Sequence, residues 1–233
     1  MQIIFPNGAP LPLLLGAAAI FAYFCGCFNG AVIVSKYILR NDVRNHGSGN
    51  AGLTNFFRTF GGPLTFVVIL CDVLKAVVAL LVSQWLMFSG YTIFISADFT
   101  VAYWDTFAKY WAGLFCLLGH MFPCMFQFKG GKGILCSGTL LLLLDWRIAL
   151  VGWGAFVVLW LTTRYVSLGS VAAAVSLPFT TYFVFHNTAC TVLGTCISLL
   201  VLWAHRSNIK RLLSGTESKF HFHVNEPKPG EDE

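Results

Sequence analysis

Long apolar runs alternate with short polar segments along nearly the whole chain. Within each run the apolar residues are continuous, so the pattern predicts helices rather than the alternating strands of a membrane barrel. Most runs approach the roughly 20 residues that cross a bilayer as an α-helix. We predict an all-α integral membrane protein with about seven transmembrane helices, some of them short. The predicted spans are residues 11–34, 64–88, 107–122, two parts of 134–161, 168–185 and 188–204.

The apolar run 134–161 is interrupted near its middle by Asp145, Trp146 and Arg147. A single helix would place two charges near the bilayer centre, at a cost of about 2.5–3.5 kcal/mol each. Two short spans joined by a hinge at these residues avoid that cost, and we predict the hinge. In the alternative, the protein has five full spans, and 134–161 dips into the membrane as a hairpin and returns to the same side. The two termini then lie on the same sides as with seven spans.

Basic residues are distributed unevenly between the two sides of this map. With the N-terminus outside, twelve Lys and Arg lie on the inner side, two lie outside (Lys109 and Arg147), and Lys75 lies within a span. Basic loops remain in the cytoplasm, so we predict an N-terminus outside and a cytoplasmic C-terminus. Residues 1–220 are expected to form one polytopic membrane domain, and 221–233 a disordered cytoplasmic tail.

The composition supports a membrane protein and limits the other classes. Hydrophobic residues make up 57% of the chain and the mean hydropathy is +0.72, which excludes a soluble domain. The net charge of +5 follows from topology, and no basic stripe predicts a nucleic-acid partner. The first ten residues lack Lys and Arg, so we expect a retained first span rather than a signal peptide. The cysteines lie mainly in apolar runs without a CxxC pair, which predicts small buried side chains, not disulfides or metal ligands.

The sequence KGGKG at 129–133 separates two apolar runs. Its three glycines allow backbone N–H groups to converge on one point, and its two lysines add positive charge. The chemical partner of such a loop is an anion, most naturally a phosphate. The segment is not a Walker A loop, because Gly133 follows Lys132 where that motif needs Ser or Thr. The alternative is a plain basic turn at the membrane surface.

A second polar segment, residues 42–58, combines glycines with short hydrogen-bonding side chains and an arginine. The short side chains belong to Ser48, Asn50, Thr54 and Asn55. Arg58 can hold an oxyanion with two parallel hydrogen bonds. This composition favours anion binding over a flexible loop that only caps the following span.

Two other segments fall on the same predicted face of the membrane. His205 and Asn208 are three residues apart and share one helical face. For their segment, 205–219, the alternative is an amphipathic basic helix lying on anionic lipid. The segment 164–170 favours a short basic turn that fixes topology.

Three ionisable residues lie within or at the end of predicted spans. Asp72 and Lys75 are three residues apart in the second span, and we expect a structural ion pair near the site. His120, at a span end, has two interpretations. It is either an acid, base or phosphate donor, or a packing residue at the membrane interface.

Three segments together resemble the cytoplasmic motifs of a known family. They are SGNAGLTNFFR at 48–58, GHMFPCMFQFKGGKG at 119–133 and HRSNIKRLLSGTESK at 205–219. These are similar to the PlsY-family motifs SGNxGxTNxxR, GHxxPxFxxFKGGKG and HRxNIxRLLxGxE. PlsY proteins are bacterial acyl-phosphate:glycerol-3-phosphate acyltransferases, and the resemblance runs from the first span to about Lys219.

The resemblance implies a compact seven-helix enzyme of the bacterial inner membrane, with its active site at the cytoplasmic face. It would transfer a fatty acyl group from acyl-phosphate to the sn-1 hydroxyl of glycerol-3-phosphate, giving 1-acyl-glycerol-3-phosphate (lysophosphatidic acid) and inorganic phosphate in the first step of phospholipid synthesis. No cofactor, metal or acyl-CoA is expected. The implied partners are both substrates, the lipid bilayer and the enzyme that makes acyl-phosphate.

The resemblance also implies roles for individual residues. Catalytic roles fall to Ser48, Arg58, Lys132, His205 and Asn208, which with Ser170 would hold glycerol-3-phosphate. The acyl-phosphate and the departing phosphate would be cradled by Gly49, Asn50, Thr54, Lys129, Gly130, Gly131 and Gly133. Asn55 and His120 are further candidates for substrate binding. Glu217 matches an acidic position of the third motif and is expected to order the tail.

Two features depart from the family pattern. After GGKG the family usually continues Val-Ala-Thr, whereas this chain has Ile134, Leu135 and Cys136. If that threonine binds phosphate, Cys136 is a poor replacement, and Ser137 is the nearest hydroxyl, one residue out of register. The segment 89–106 is also longer than the family pattern.

Other function classes remain as alternatives. A transporter or channel for an organic phosphate is disfavoured, because the chain shows no internal repeat and its polar residues gather at one face rather than at mid-membrane. Two further alternative functions are a membrane scaffold and an acyltransferase that uses another acyl donor. Because acyl-phosphate is already activated, positioning and charge stabilisation would supply most of the catalysis in the favoured scheme.

Overall fold

The computed structural model describes residues 11–88 and 100–220, which are helical with no β-strand. The α-helices within these ranges are α1 (Leu11–Cys27), α2 (Gly30–Ile33), α3 (Leu53–Thr59), α4 (Leu64–Phe88), α5 (Thr100–Met121), α6 (Ile134–Leu144), α7 (Trp146–Thr163), α8 (Val166–Phe185), α9 (Thr188–Ala204) and α10 (Arg206–Leu213). A π-helical turn, Val34–Ile38, continues α2. The predicted tail at 221–233 and most of the predicted loop at 89–106 lie outside the described residues.

Among the described helices, four are long and apolar enough to cross a membrane: Leu11–Ile38, Leu64–Met87, Trp146–Thr163 and Val166–Phe185. The number becomes five if α9 and α10, which are bent by 61° at their junction, count as one broken span. The all-helical prediction is therefore confirmed, whereas seven spans exceed what length and hydropathy alone support. Large apolar side chains such as Phe66 and Phe183, 73% and 69% exposed, cover the outer faces, as suits a surface that contacts hydrocarbon.

Some predicted helix boundaries match the structure and others do not. The predicted spans 64–88 and 188–204 coincide with α4 and α9. The helix of the third predicted span, α5, begins at Thr100 rather than near 107, so the prediction of a loop up to 106 was wrong. Asp105, which lies in the predicted loop, is satisfied on the helix because it pairs with Lys109 one turn away at 2.8 Å.

The first predicted span is not one continuous α-helix. α1 ends at Cys27, and the buried side chain of Asn29 caps the start of α2 by accepting a hydrogen bond from Val32 N at 3.0 Å. The other end of the same amide donates to Ala51 O at 3.0 Å. One buried side chain thus starts a new helix within the span Leu11–Ile38 and holds the loop that precedes α3.

The predicted hinge in 134–161 is confirmed. α6 ends at Leu144, and α7 begins at Trp146. Asp145 takes extended backbone geometry between them and caps α7, its carboxylate accepting from Arg147 N at 2.8 Å and from Arg147 Nε at 2.9 Å. The two charges are therefore paired at a helix end instead of lying inside one long helix.

The helices pack closely where glycine permits it. α1 packs on α5 and α4, and α6 to α9 follow one another around the other side of α5. Where α1 crosses α5, Gly26 and Gly119 lie against the backbone of the partner helix, and a Cβ at either position would overlap carbonyl oxygens. Small residues at such crossings let backbones approach. This contact fixes the end of α5, which carries His120.

Candidate active site

A cavity of about 830 Å³ opens between the loops and the ends of α3, α6, α8, α9 and α10. This volume is within the range of small-molecule sites. Its polar lining comes from loops and helix ends and includes His46, Ser48, Asn50, Thr54, Asn55, Arg58, Lys132, Ser167, Ser170, His205, Asn208, Arg211, Glu217 and Ser218. Its apolar lining comes from the interior of α6 to α9 and includes Leu135, Leu141, Trp153, Phe156, Ala173, Ala174, Leu177, Ile197 and Val201.

Most of the residues predicted from the sequence reach this cavity. Those that line it are Ser48, Asn50, Thr54, Asn55, Arg58, Asp72, His120, Lys132, Gly133, Ser170, His205, Asn208 and Glu217. Those outside the lining are Gly49, Lys75, Lys129, Gly130 and Gly131. All five residues with predicted catalytic roles are in the first group. Their roles in chemistry stay predictions.

A connected set of hydrogen bonds crosses the polar half. The Lys132 ammonium donates to Asn208 Oδ1, and Asn208 Nδ2 donates to Glu217 Oε1 at 2.7 Å. Ser167 Oγ donates to the same carboxylate at 2.6 Å, and Arg211 Nε donates to Glu217 Oε2 at 2.7 Å. Glu217 therefore positions Asn208 and Arg211 around Lys132. This contribution comes in addition to its predicted role in ordering the chain after α10.

The charges in this set influence one another. Burial, together with the neighbouring charges of Arg211 and Arg58, lowers the pKa of Lys132 to about 8. Burial alone would raise the pKa of Glu217, but the hydrogen bonds from Ser167, Asn208 and Arg211 outweigh it and hold the pKa below its usual value. The polar half therefore holds three basic side chains, Lys132, Arg58 and Arg211, and one carboxylate, Glu217, an excess of positive charge suited to a phosphate.

His205 is buried beside Lys132, at the junction of α9 and α10. Its Nδ1 lies 2.8 Å from Val201 O. A carbonyl oxygen only accepts, so Nδ1 carries the hydrogen and Nε2 of the neutral ring is left as an acceptor. The imidazole can therefore accept a hydrogen bond from a substrate hydroxyl.

The predicted role of Asn55 in substrate binding is not supported by its contacts. Its Nδ2 donates to the carbonyls of Val43, His46 and Asn50 at 3.0–3.1 Å, and its Oδ1 accepts from Ser48 N at 3.0 Å. The side chain is consumed in shaping the 42–52 loop. Asn55 is thus a structural residue that presents Ser48.

The predicted amide cradle at 129–131 is also wrong. The backbone N–H groups of Lys129, Gly130 and Gly131 donate to the carbonyls of Phe126, Met121 and His120 at 3.1–3.2 Å. These amides hold the loop against the end of α5, so they are not free to converge on an anion. A Cβ on Gly131 would overlap the His120 ring and Ala51 O, so the glycine is needed for close approach.

The start of α6 is what this loop supplies to the cavity. Gly133 takes a left-handed φ of 73° at the N-cap, and Gly133, Ile134 and Leu135 line the cavity. The first amides of a helix have no partner in their own helix, and its dipole favours an anion there. The helix end and Lys132, rather than 129–131, are therefore the parts of this loop suited to an anion.

The two lysines of KGGKG are therefore expected to differ in function. Lys129 is exposed and does not line the cavity. Replacing Lys129 by alanine should change kcat/KM by no more than about threefold, since exposed substitutions shift free energies by about 0.5 kcal/mol or less. Initial-rate measurements on purified Lys129→Ala would check this. A loss of a hundredfold would contradict the assignment and restore the sequence-based prediction for Lys129.

The family of the chain follows from comparisons with known proteins. Residues 16–215 match the family model described as glycerol-3-phosphate acyltransferase. A glycerol-3-phosphate acyltransferase of Thermoanaerobacter pseudethanolicus is 36% identical over 201 residues, which cover 86% of this chain and 93% of the relative. The chain belongs to the PlsY family of glycerol-3-phosphate acyltransferases. A relative from Fusobacterium nucleatum is also 36% identical, over 87% of this chain and 96% of its own.

Solved structures support the same family assignment. The crystal structure of PlsY (YgiH), an integral membrane glycerol 3-phosphate acyltransferase, in its glycerol 3-phosphate form has a TM-score of 0.76 and 30% identity. It covers 89% of this chain and 96% of that one. The lysophosphatidic acid form of the same protein has a TM-score of 0.73 and 29% identity, over 89% and 95% of the two chains.

At the wall of the cavity, this PlsY-family chain buries an ion pair and a histidine, and Asp72 and His120 form part of the lining. Lys75 Nζ lies 2.6 Å from Asp72 Oδ1, 2.7 Å from His120 Nδ1 and 3.2 Å from Phe28 O. The predicted structural pair is present. His120 is 2% exposed and accepts from Lys75, so its hydrogen is on Nε2.

The same cluster shows where Cys136, which replaces the family's usual threonine, directs its side chain. Asp72, His120 and Cys136 lie close enough to ligate a metal, but the Lys75 ammonium already supplies the positive charge among them. The Cys136 thiol points at Asp72 O, 3.6 Å away, and does not line the cavity. Ser137 does line it, and its buried Oγ has no hydrogen-bond partner among the described residues. In this turn of α6, the side chain that can offer a hydroxyl to the cavity is therefore Ser137 rather than Cys136.

Sequence reasoning missed several residues of this PlsY-family cavity. Ser167 was included in a segment interpreted as a turn, and Arg211 in a segment for which lipid binding was the alternative interpretation. The acidic partner they share, Glu217, was the signal that could have linked them. Trp153 was missed because nothing distinguishes one tryptophan of an apolar helix from another until the packing is known.

Proposed function

We propose that the chain transfers a fatty acyl group from acyl-phosphate to the sn-1 hydroxyl of glycerol-3-phosphate. The products are 1-acyl-glycerol-3-phosphate and inorganic phosphate. The observation that carries the proposal is one cavity with a basic polar half and an apolar half. Both substrates carry a phosphate and one carries a fatty chain, so both halves are required. The family, and the relative solved in glycerol 3-phosphate and lysophosphatidic acid forms, support it.

The proposed topology has seven membrane-crossing helices, with α5, α6 and α9 added to the four that meet the length and hydropathy test. The N-terminus lies outside, and the polar loops and the C-terminus lie in the cytoplasm of a bacterium. The excess of Lys and Arg on the loop side supports this orientation. Water-soluble glycerol-3-phosphate would then enter from the cytoplasm, and the acyl-phosphate from the lipid.

In the proposed reaction the sn-1 oxygen of glycerol-3-phosphate attacks the acyl carbonyl carbon. A new C–O ester bond forms, the bond between the acyl carbon and the phosphate oxygen breaks, and the electron pair leaves with the phosphate. The hydroxyl proton passes to the departing phosphate. No oxidant, metal or second nucleophile is needed for this balance.

The protein then acts mainly by placing and stabilising charge. Lys132 lies between the α6 N-terminus and Asn208, where its ammonium would neutralise the departing phosphate. Arg58 and Arg211 at the mouth would hold the phosphate of glycerol-3-phosphate. His205 Nε2 would orient the sn-1 hydroxyl, with Ser48, Asn50, Thr54 and Ser170 completing the polar wall.

The pKa of Lys132 predicts the pH dependence of the reaction. The side chain must be protonated to bind a phosphate, and its pKa is about 8. A phosphate monoester has its second pKa near 6 and stays a dianion across this range. Hence kcat/KM should fall above about pH 8, by roughly tenfold per pH unit. A pH–rate profile measures this directly.

The matched variant for this profile is Lys132→Arg. A guanidinium stays charged far above pH 8, so the variant, whatever its maximal rate, should lack the alkaline limb. An alkaline limb that persists unchanged in Lys132→Arg would assign the titration to another group and contradict this role of Lys132.

A comparison of acyl donors distinguishes the proposed reaction from acyl transfer that uses another donor. Purified protein receives glycerol-3-phosphate with palmitoyl-phosphate or palmitoyl-CoA, and lysophosphatidic acid is quantified by mass spectrometry. We expect product from palmitoyl-phosphate at a rate at least a hundredfold above that from palmitoyl-CoA. Equal or faster transfer from palmitoyl-CoA would overturn the donor assignment while leaving the family unchanged.

A further inference from the structure

One side chain of the apolar half is held unusually firmly. Trp153 lines the cavity from α7, and its Nε1 donates to Gly138 O of α6 at 3.0 Å. A tryptophan N–H inside a protein needs such a partner, and the bond fixes the ring orientation. Phe156, one turn further along α7, packs edge-on against the indole with ring centroids 5.7 Å apart. The indole is therefore a rigid wall.

Glycine at two positions makes this arrangement possible. A Cβ on Gly138 would lie 2.7 Å from Trp153 Cζ2, closer than real contacts allow. A Cβ on Gly152, the residue before the tryptophan, would meet the Leu141 side chain of α6. α6 and α7 thus interlock through Gly138 and Gly152, and both glycines line the same cavity as the indole.

We propose that Trp153, held against Gly138, sets the length of the acyl chain that the cavity accepts. This inference rests on the proposed function, which places a fatty chain in the apolar half. Each added methylene gains affinity while it is buried against apolar walls. Once the chain reaches a rigid wall, further methylenes must stay outside or distort the packing, and the gain stops. The indole is the largest and best-anchored side chain available to form that wall.

Chain-length series with alkyl phosphates test the inference through binding, without turnover. Purified protein is titrated with n-alkyl phosphates from C8 to C20, and dissociation constants are obtained from competition with a fluorescent alkyl-phosphate probe. For the wild type, affinity should rise up to about fourfold per methylene and then level off. The chain length at which it levels off is called the break. Trp153→Ala should move the break to longer chains by two or more methylenes.

Gly138→Ala provides the opposite test. Its added methyl group would overlap the indole, and both residues line the cavity, so we expect the chain length at which affinity levels off to become shorter. In the double variant Gly138→Ala/Trp153→Ala the ring is gone, and the alanine at 138 should then have no effect. Trp146→Ala is the matched control, because Trp146 is on the same helix, is 70% exposed and does not line the cavity. Its break should equal that of the wild type.

The outcomes separate this inference from the proposed reaction. An unchanged break in both Trp153→Ala and Gly138→Ala would overturn the inference, even if lysophosphatidic acid is formed at normal rates. A shifted break with no acyl transfer from any acyl-phosphate would support the inference and refute the proposed reaction. The KM for glycerol-3-phosphate should stay within about threefold of the wild type in Trp153→Ala, because the indole N–H bonds to Gly138 O and not to a side chain of the polar half.

Discussion

Replacing Lys132 by methionine is expected to lower kcat/KM by about 10²–10³-fold, the loss typical of one preorganised charge at a reacting centre. Methionine keeps a long unbranched side chain but removes the ammonium that bonds to Asn208. The phosphates of both substrates would then meet the α6 N-terminus and the arginines alone. Initial rates of lysophosphatidic acid formation, with each substrate varied in turn, measure the loss and divide it between kcat and KM.

Lys210→Met is the matched control for this result. Lys210 is exposed on α10, close in sequence to the site, and does not line the cavity. Its replacement should leave kcat/KM within about threefold of the wild type. If Lys132→Met keeps more than a tenth of wild-type activity while folding normally in detergent, Lys132 is not the main electrostatic element of the site.

The second large effect concerns stability. Replacing Lys75 by methionine is expected to destabilise the fold by about 3–5 kcal/mol, because it leaves Asp72 as a buried charge without its partner. Asp72 is 2% and Lys75 6% exposed, and their charged atoms are 2.6 Å apart. His120 Nδ1 would lose its donor at the same time. Chemical unfolding of the purified protein in detergent micelles measures the change.

Two variants show whether the loss comes from the stranded charge. The double variant Asp72→Asn/Lys75→Met removes both charges and should recover most of the lost stability. Lys109→Met breaks the more exposed Asp105–Lys109 pair of α5 and should cost less than about 1 kcal/mol. If Lys75→Met is no less stable than Lys109→Met, the buried pair does not stabilise the fold as we infer.

The fold was predictable wherever hydropathy and charge gave the same answer. The boundaries at Leu64 and Thr188 follow from sharp changes of polarity, and the break at Asp145 from the cost of charges in a bilayer. The start of α5 was missed because the polar and aromatic residues up to 106 look like a loop until Asp105 is placed one helical turn from Lys109. Helix length alone also cannot decide whether an 11-residue helix such as α6 crosses the membrane.

The site was predictable in its charges but not in its hydrogen bonds. Lys132, His205 and Asn208 were assigned to the site because they match the PlsY-family motifs, and their polarity and the shared face of His205 and Asn208 agree with that assignment. A sequence cannot say whether a glycine amide is free or bonded, which is why Gly130 and Gly131 were assigned to a cradle. The amide of Asn55 was misassigned for the same reason, since a side chain that binds a ligand and one that shapes a loop have the same composition.

The apolar half of the cavity could not be derived from the pattern. Trp153, Gly138 and Gly152 occur in runs that are apolar all round, where no periodicity marks an inward face. Only the packing of α6 on α7 shows that the indole bonds across the helix pair and lines the cavity. The sequence also could not show which residue of α6 faces the cavity. In the structure the Cys136 thiol points toward Asp72 O, and Ser137 lines the cavity.

The central claim, acyl transfer between two phosphate-bearing substrates in one cavity, is tested most directly by product stoichiometry. Protein in liposomes is given palmitoyl-phosphate with and without glycerol-3-phosphate, and inorganic phosphate and lysophosphatidic acid are quantified in the same sample. We predict that both products form in a 1:1 ratio and only when glycerol-3-phosphate is present. Phosphate release that does not need glycerol-3-phosphate, or uptake of unmodified glycerol-3-phosphate into the liposomes, would contradict the account.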